Sequence, residues 1–252
     1  VIFRQRGVLE MPIGVIVNVF SIFFGGLGGA LIGHIMSDEF KNGLNMAFSI
    51  CSITMGIYAI APMKNLAAVI FAVVIGTGLG IICHFGKAIN RGAQGMQQLV
   101  SHFLSVPNKM DQELFDTTLV TIIVLFCASG TGIYGTLTEG ISGDATILIS
   151  KSILDFFCAF IFGASLGAVV SLIAVPQFII LMVIFSLAQV IVPLTTPDMI
   201  LDFKAAGGVL MLASGFRIAK IKMFPTADMI PIMLVIMPIS SLWEKFVMPL
   251  LH

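Results

Sequence analysis

The stretches without a charged residue decide most of what this chain can become. Met11–Gly33 runs for 23 residues with neither charge nor histidine, Asn42–Met63 for 22, Leu66–Cys83 for 18 and Thr117–Thr138 for 22. Phe156–Pro197 runs for 42, enough for two passes with Val175-Pro176 as the natural break, and the shorter runs Ala205–Phe216 and Met229–Trp243 follow. A helix that crosses the hydrocarbon of a bilayer needs about 20 mostly apolar residues. The runs are continuous rather than alternating at period two, which sets aside an outer-membrane barrel. The expected fold is all-α, a polytopic transmembrane helix bundle of about eight spans, or seven if one run is re-entrant. The spans are read near 12–34, 43–62, 65–84, 116–136, 147–173, 175–194, 203–221 and 228–249. The last two reach full length only if Arg217, Lys220 and Asp228 lie near an interface, where long basic side chains extend to the headgroups.

Composition narrows the class further. Only 10% of residues are charged and 58% are hydrophobic, against about a quarter charged in an average soluble domain. Too few charges remain to coat a water-facing surface, so a soluble enzyme is excluded. Thirteen basic residues balance thirteen acidic ones, and no basic face is available for nucleic acid. Cys51, Cys83, Cys127 and Cys158 each sit in an apolar run without a CxxC pair. They read as small buried side chains rather than a disulfide frame or metal site.

Arg4 and Arg6 ahead of an apolar stretch imitate a signal peptide, but the run is long, lacks a clear cleavage site and is followed by seven more, so it reads as a first span. Residues 1–10 are then an N-terminal extension and 11–252 a single transmembrane domain. Lys41, Lys87, Arg91, Lys109, Arg217, Lys220 and Lys222 follow odd-numbered spans, whereas Lys64, Lys151, Lys204 and Lys245 belong to the other side. The bias favours both termini outside. Within the polar linker 86–116, Met96, Leu99, Val100, Phe103 and Leu104 repeat at helical spacing up to Pro107. This predicts an amphipathic helix flat on the membrane surface, with a mobile linker as the alternative.

Small residues four apart lie on one helix face and let backbones approach. Gly25, Gly29 and Gly33 form a tandem pattern of this kind, and Gly76 with Gly80 and Gly163 with Gly167 form two more. They read as helix-packing positions and make a homo-oligomer conceivable. Asn18 and Ser21 join the first stripe, and Ser152 and Asp155 the last. Internal repeats are also expected: Thr54-Met-Gly-Ile-Tyr58 resembles Gly130-Thr-Gly-Ile-Tyr134, and Phe40-Lys41 resembles Phe203-Lys204.

The densest anomaly is Ser129–Asp155, SGTGIYGTLTEGISGDATILISKSILD, with five glycines followed by hydroxyl and charged residues. Glycine costs about 1 kcal/mol per helical position, so span four is expected to fray or break near its end. Asp144 is positioned to cap span five. Gly130–Gly135 spells GxGxxG, but no strand precedes it, and a dinucleotide site is rejected. Lys151 and Asp155 are four apart and can pair along one face. A charge at the centre of a spanning helix costs about 2.5–3.5 kcal/mol, so such residues face the bundle interior or a water-filled cavity. The expected solute or ion pathway is therefore Asp155, able to change protonation, with Lys151, Ser152, Glu139, Asp144, Asn18, Ser129 and Thr131; the alternative is a structural Lys151–Asp155 pair near the interface. Arg217 and Asp228, the latter before Pro231 and Pro238, are expected to face it across the bundle. No HExxH pattern occurs, and Gly163-Ala-Ser-Leu-Gly167 spells GxSxG only inside an apolar helical run, not at the strand-to-helix elbow that the motif needs, so neither catalysis, a cofactor nor a metal is expected.

The stretches IVLFCASGTGIYGTLTEGISGDATILISKSILDFF (122–157), PIGVIVNVFSIFFGGLGGALIG (12–33) and AAGGVLMLASGFRIAKIKMFP (205–225) resemble the bacterial inner-membrane family of unknown function that includes YqgA and YdfK, and the YqgA branch most. The likeness runs from Met11 nearly to the end. It departs at Asp228 and Ile230-Pro-Ile232, where relatives tend to carry Asn and Leu-Pro-Ala. The resemblance implies a multi-pass protein, sometimes labelled a transport-system permease, and supplies neither substrate nor catalytic residue. The leading expectation is an inner-membrane transporter of a small solute or ion. A pore filtered by the glycine-rich backbone and a non-transporting scaffold are its rivals.

Overall fold

The computed structural model describes residues 11–32, 35–101 and 112–251, and every element in them is helical. In order these are α1 Ile13–Ile32, α2 Asp38–Ile60, α3 Leu66–Ile82, α4 Phe85–Ser101, α5 Gln112–Cys127, α6 Gly130–Ser142, α7 Thr146–Leu166, α8 Val169–Leu172, α9 Ala174–Ile191, α10 Pro197–Ile218, α11 Thr226–Met229, α12 Ile232–Leu242 and α13 Met248–Leu251. A π-helical stretch, Trp243–Val247, joins the last two. Seven helical stretches are long and apolar enough to cross a bilayer, and the pair α3 and α4, bent by 59° at their junction, raises the number to eight. The polytopic helical reading therefore holds.

The molecule wears its apolar residues outside and buries its polar ones. Phe20, Phe24, Ile57, Ile70, Val74, Ile153 and Val183 are exposed, whereas Asn18, Gln177, Asp202 and Ser240 are wholly buried. Water would penalise that arrangement and hydrocarbon favours it, because every polar group removed from water must find a partner inside. The helices therefore contact the lipid bilayer. Cys51 and Cys83 lie on this outer face rather than in the core; Cys127 is buried and Cys158 half-buried. An apolar run does not distinguish burial in protein from burial in lipid.

Close backbone approach sets how the helices pair. A Cβ at Gly25 or Gly29 would stand on the carbonyl oxygens of Phe156 and Phe160, and one at Gly163 on the carbonyl of Gly26. This locks α1 and α7 side by side in parallel. Gly76 and Gly80 bring α3 against Ile232 and Asp228, and Gly56 brings α2 against Gly208 of α10. Both latter pairs are antiparallel. Gly33 lies outside the described residues. Gly167 differs from the rest: at φ +82° it ends α7, and no helix rests on it.

Several boundaries differ from the sequence expectation. The break after α7 falls at Gly167, not at Val175-Pro176. Pro176 sits in the first turn of α9, where its missing N–H is harmless. α10 begins at Pro197 rather than 203, because Thr196 accepts a hydrogen bond from the Met199 N–H and proline fits the first helical position. Span four does break, but at Ala128-Ser129 near its middle, and the glycine-rich Gly130–Ser142 is helix. Its carbonyls are engaged along the helix, unlike those of an ion filter.

α4 covers the first part of the predicted amphipathic stretch, but its buried edge is Ala93 and Gln97 with Met96 half-buried, whereas Leu99 of the predicted stripe is exposed. Its buried edge packs on α5, where Gln97 Nε2 donates to Asp116 Oδ1 at 2.7 Å. Phe103, Leu104, Pro107, Lys109 and residues 1–10 lie outside the described residues. The two short sequence matches occupy unlike surroundings. Tyr58 and Phe40 are exposed whereas Tyr134 and Phe203 are buried against one another.

Candidate functional site

A helix leaves its first N–H groups unpaired, and in an apolar medium they must be satisfied locally. Three carboxylates from other helices do this. Glu139 Oε1 accepts from the Gly14 N–H at 2.6 Å and Oε2 from the Val15 N–H at 3.2 Å, closing the start of α1. Asp202 Oδ1 accepts from the N–H groups of Lys64 and Asn65 at the head of α3. Its Oδ2 takes Asn65 Nδ2 at 2.9 Å and the Ser240 hydroxyl at 2.7 Å. Asp228 Oδ1 accepts from the Gly86 N–H at 2.6 Å at the head of α4. Charge at these positions is stabilised by the positive end of each helix.

Asp155 is held differently. It lies in the middle of α7, and its Oδ2 accepts from Lys151 Nζ one turn earlier and from Asn18 Nδ2 of α1 at 2.8 Å. Asn18 Oδ1 in turn accepts from Gln177 Nε2 of α9 at 2.7 Å. All four side chains are buried, with Lys151 5% and Asp155 6% exposed. Among the described residues no donor bonds to Asp155 Oδ1, and Gln177 Oε1 is buried without a partner. The network therefore keeps unused acceptor capacity.

The break in span four adjoins this network. Ser129 Oγ accepts from the Gly132 N–H at 3.1 Å and starts α6 inside the bundle. A Cβ at Gly132 would come within 3.3 Å of Lys151 Cε, so the lysine stem lies against the first turn of α6. Thr131, in that turn, is buried. Gln177 Nε2 also lies 3.5 Å from the Phe126 carbonyl, just before the break. An apolar cavity of about 260 Å³ opens beside it, lined among others by Ile89, Ile123, Cys127, Ala128, Ile180 and Ile230.

Asn18, Lys151 and Asp155 thus meet, with Ser129 and Thr131 alongside; Ser152 is buried there but bonds its own helix at the Leu148 carbonyl. Glu139 lies one turn along α1 from Asn18. Three expected members are elsewhere. Asp144 faces Lys204 at 3.2 Å and accepts from the Thr146 N–H, near the start of α7 but one residue before its cap. Burial alone would push Asp144 up, but its bonds to Thr146 and the Lys204 ammonium outweigh that and hold it below the ordinary carboxylate range. Arg217 donates to Thr226, and Asp228 closes α4, both at the opposite end of the bundle from Glu139. They do not face Asp155, because their helices end there.

The sequence reading missed Gln177, Asp202, Asn65 and Ser240. A glutamine near the middle of the 42-residue uncharged run was a usable signal for the first, although the run holds a second at Gln189. The Thr-Thr-Pro-Asp start of α10 would have placed Asp202 inside a helix. Nothing marked Asn65 or Ser240.

Known proteins are similar to this chain over most of its length. The uncharacterized protein YqgA of Escherichia coli (strain K12) is 42% identical over 236 residues, 94% of this chain and 99% of that one. The uncharacterized membrane protein YdfK of Bacillus subtilis (strain 168) is 27% identical over 222 residues, 88% and 93% of the two chains. No solved structure matches. The model of a protein family of unknown function, DUF554, matches residues 13–241. The chain is a multi-pass membrane protein and belongs to the DUF554 family.

Proposed function

We propose that the protein is a carrier of a small solute or ion in the bacterial inner membrane, without enzymatic activity. The observation that carries this reading is the Lys151–Asp155–Asn18–Gln177 network, buried mid-helix beside a spanning helix that breaks at Ala128-Ser129. Charged side chains inside a spanning bundle are costly and mark solute or ion paths. Discontinuous spans commonly form the substrate sites of carriers. The half-used carboxylate of Asp155 and the start of α6 supply opposite electrostatic ends within one small volume, and the adjoining cavity offers room for an apolar part.

Orientation follows from the basic residues. Lys151 is paired inside the bundle and drops out of the comparison. Lys41, Lys87, Arg91, Arg217, Lys220 and Lys222 gather at one end, against Lys64, Lys204 and Lys245 at the other. The first end faces the cytoplasm and the Glu139 end faces outward.

Charge movement on a solid-supported membrane, paired with labelled uptake into proteoliposomes, tests the reading. Amino acids, carboxylates and inorganic ions are applied across a pH series to the wild type and to Asp155→Asn. A saturable signal for one solute class, lost in a folded variant, is expected. An unchanged signal in that variant would remove the network from the path. Silence of the wild type in both assays would favour a scaffold.

A further inference from the structure

We propose that the cavity beneath α4 is the vestibule through which this carrier takes its solute from the basic end, and that its lining selects an organic solute bearing a compact apolar group over an inorganic ion. The inference rests on the carrier reading and names its substrate class and its entrance.

The Asp155 network is packed shut along α1 in both directions. Val15, Leu148 and Leu181, from α1, α7 and α9, form a buried apolar cluster between it and Glu139. Toward the basic end, Ile22 is wholly buried and clusters with Ala159, Ile173 and Ala174. The cavity lies to the side, at the break in span four. Cys127 and Ala128 of the break form one wall, and Ile180, one turn along α9 from Gln177, forms another. Phe85, Ile89 and Met96 of α4 close it from the basic end. The cavity stops at the break; neither Asp155 nor Lys151 lines it.

Among the described residues, no side chain lining the cavity carries an oxygen or a nitrogen. An ion entering it would give up its hydration with nothing to replace it. A cavity of about 150 Å³ with walls of this kind stays dry and holds benzene. At about 260 Å³, this one has room for a phenyl or branched aliphatic group. The wall that yields is α4. Its outer face, with Lys87, Asn90, Arg91, Gln94 and Gln98, is exposed and polar, which suits water and headgroups rather than acyl chains. α4 therefore stands between water and the cavity, and that favours a solute over a lipid tail as the occupant. It turns from α3 by 59° at His84, whose φ of +52° is a left-handed backbone uncommon in residues with a side chain. Asp228 fixes its head at the Gly86 N–H, and Gln97 fastens its far half to Asp116 of α5. A swing about His84 that releases Gln97 opens the cavity to the basic end.

Cys127, buried in the cavity wall, supplies the readout. In the full chain carrying Cys51→Ala, Cys83→Ala and Cys158→Ala, a water-soluble methanethiosulfonate modifies Cys127 at a measurable rate. The rate is taken alone and with phenylalanine, leucine, benzoate, sodium chloride or potassium phosphate. At least one of the three organic probes should slow it saturably, and neither salt should. Gln97→Leu should speed it roughly tenfold or more, the population shift that loss of one hydrogen bond to a charged group allows. A Cβ at Gly92, on the cavity lining, meets nothing within 4 Å. Gly92→Phe therefore adds bulk without a backbone clash and should abolish the protection. Protection by a salt, protection by none of the organic probes, or a rate indifferent to Gln97→Leu overturns the proposal. Should Gln97→Leu not fold, spin labels at Gln94→Cys on α4 and Met46→Cys on α2 decide it in the otherwise native chain. Two separations are expected, with the longer one depleted by the probe that protects, and a single separation overturns the swing. Protection of Cys127 without uptake by proteoliposomes would keep the vestibule as a binding site and discard the carrier. Uptake of an organic solute that Gly92→Phe leaves unchanged would keep the carrier and overturn the vestibule.

Discussion

Asp155 and Asp202 are both buried carboxylates inside a helical membrane bundle, yet their surroundings make them opposites. Both oxygens of Asp202 are filled, by two backbone N–H groups, an amide and a hydroxyl. Its charge rests on the start of α3, and the group fastens α10 to α3 and α12. Asp155 uses one oxygen on a lysine and an asparagine and leaves the other without a donor among the described residues. A carboxylate with no capacity left can hold helices together but cannot take up anything more. One with capacity left can exchange a partner. Burial alone does not separate the two carboxylates; unused hydrogen-bonding capacity does.

The sharpest way to break this contrast is to remove one member of the Lys151–Asp155 pair. Asp155→Ala leaves a buried ammonium without its counter-charge and should destabilise the protein by about 3–5 kcal/mol. Lys151→Met with Asp155→Leu, which removes both charges, should recover most of that loss in thermal unfolding while abolishing transport. A double variant as unstable as the single would mean that the pair is structural.

Asp202→Asn comes next. Its new amide would point donors at donors, and the head of α3 should loosen at a cost on the order of 2–3 kcal/mol. Transport per folded molecule should survive. Gly29→Val should cost about 1–3 kcal/mol by wedging α1 from the Phe160 carbonyl, with loss of both stability and transport. The smallest effect belongs to Asp144. Its lowered pKa means that its contribution is present above the ordinary carboxylate range and fades as pH falls through the lowered value. With a side chain 35% exposed, solvent screens it, and Lys204→Met should cost well under about 1 kcal/mol and weaken the pH dependence of melting.

How much of this was legible follows the same line. Uncharged runs gave the spans, because bilayer thickness acts on each helix separately. The Lys151–Asp155 pair was legible because four-residue spacing is local, and Asn18 because a small-residue stripe placed it on the packed face of α1. The destinations of Arg217, Asp228 and Asp144 were not. Each is set by which helix end another helix brings near, a long-range outcome with no local signature. Asp202 was missed because an acidic residue near the edge of an uncharged run looks like a loop residue, when Thr196 and Pro197 in fact start the helix before it. The glycine-rich segment misled for a physical reason: a glycine's cost in a helix can be offset by packing, as at Gly130 against Leu210 and Gly140 against Ala188. The break fell instead at Ala128-Ser129, where a serine caps the second half.

The most direct test of the contrast is solute uptake by Asp155→Asn and Asp202→Asn, measured side by side in proteoliposomes and normalised to folded protein. The account predicts saturable uptake in the wild type, retained in Asp202→Asn despite its lower melting temperature, and lost in Asp155→Asn. Uptake retained in folded Asp155→Asn, lost in folded Asp202→Asn, or absent from the wild type across the whole panel would contradict it.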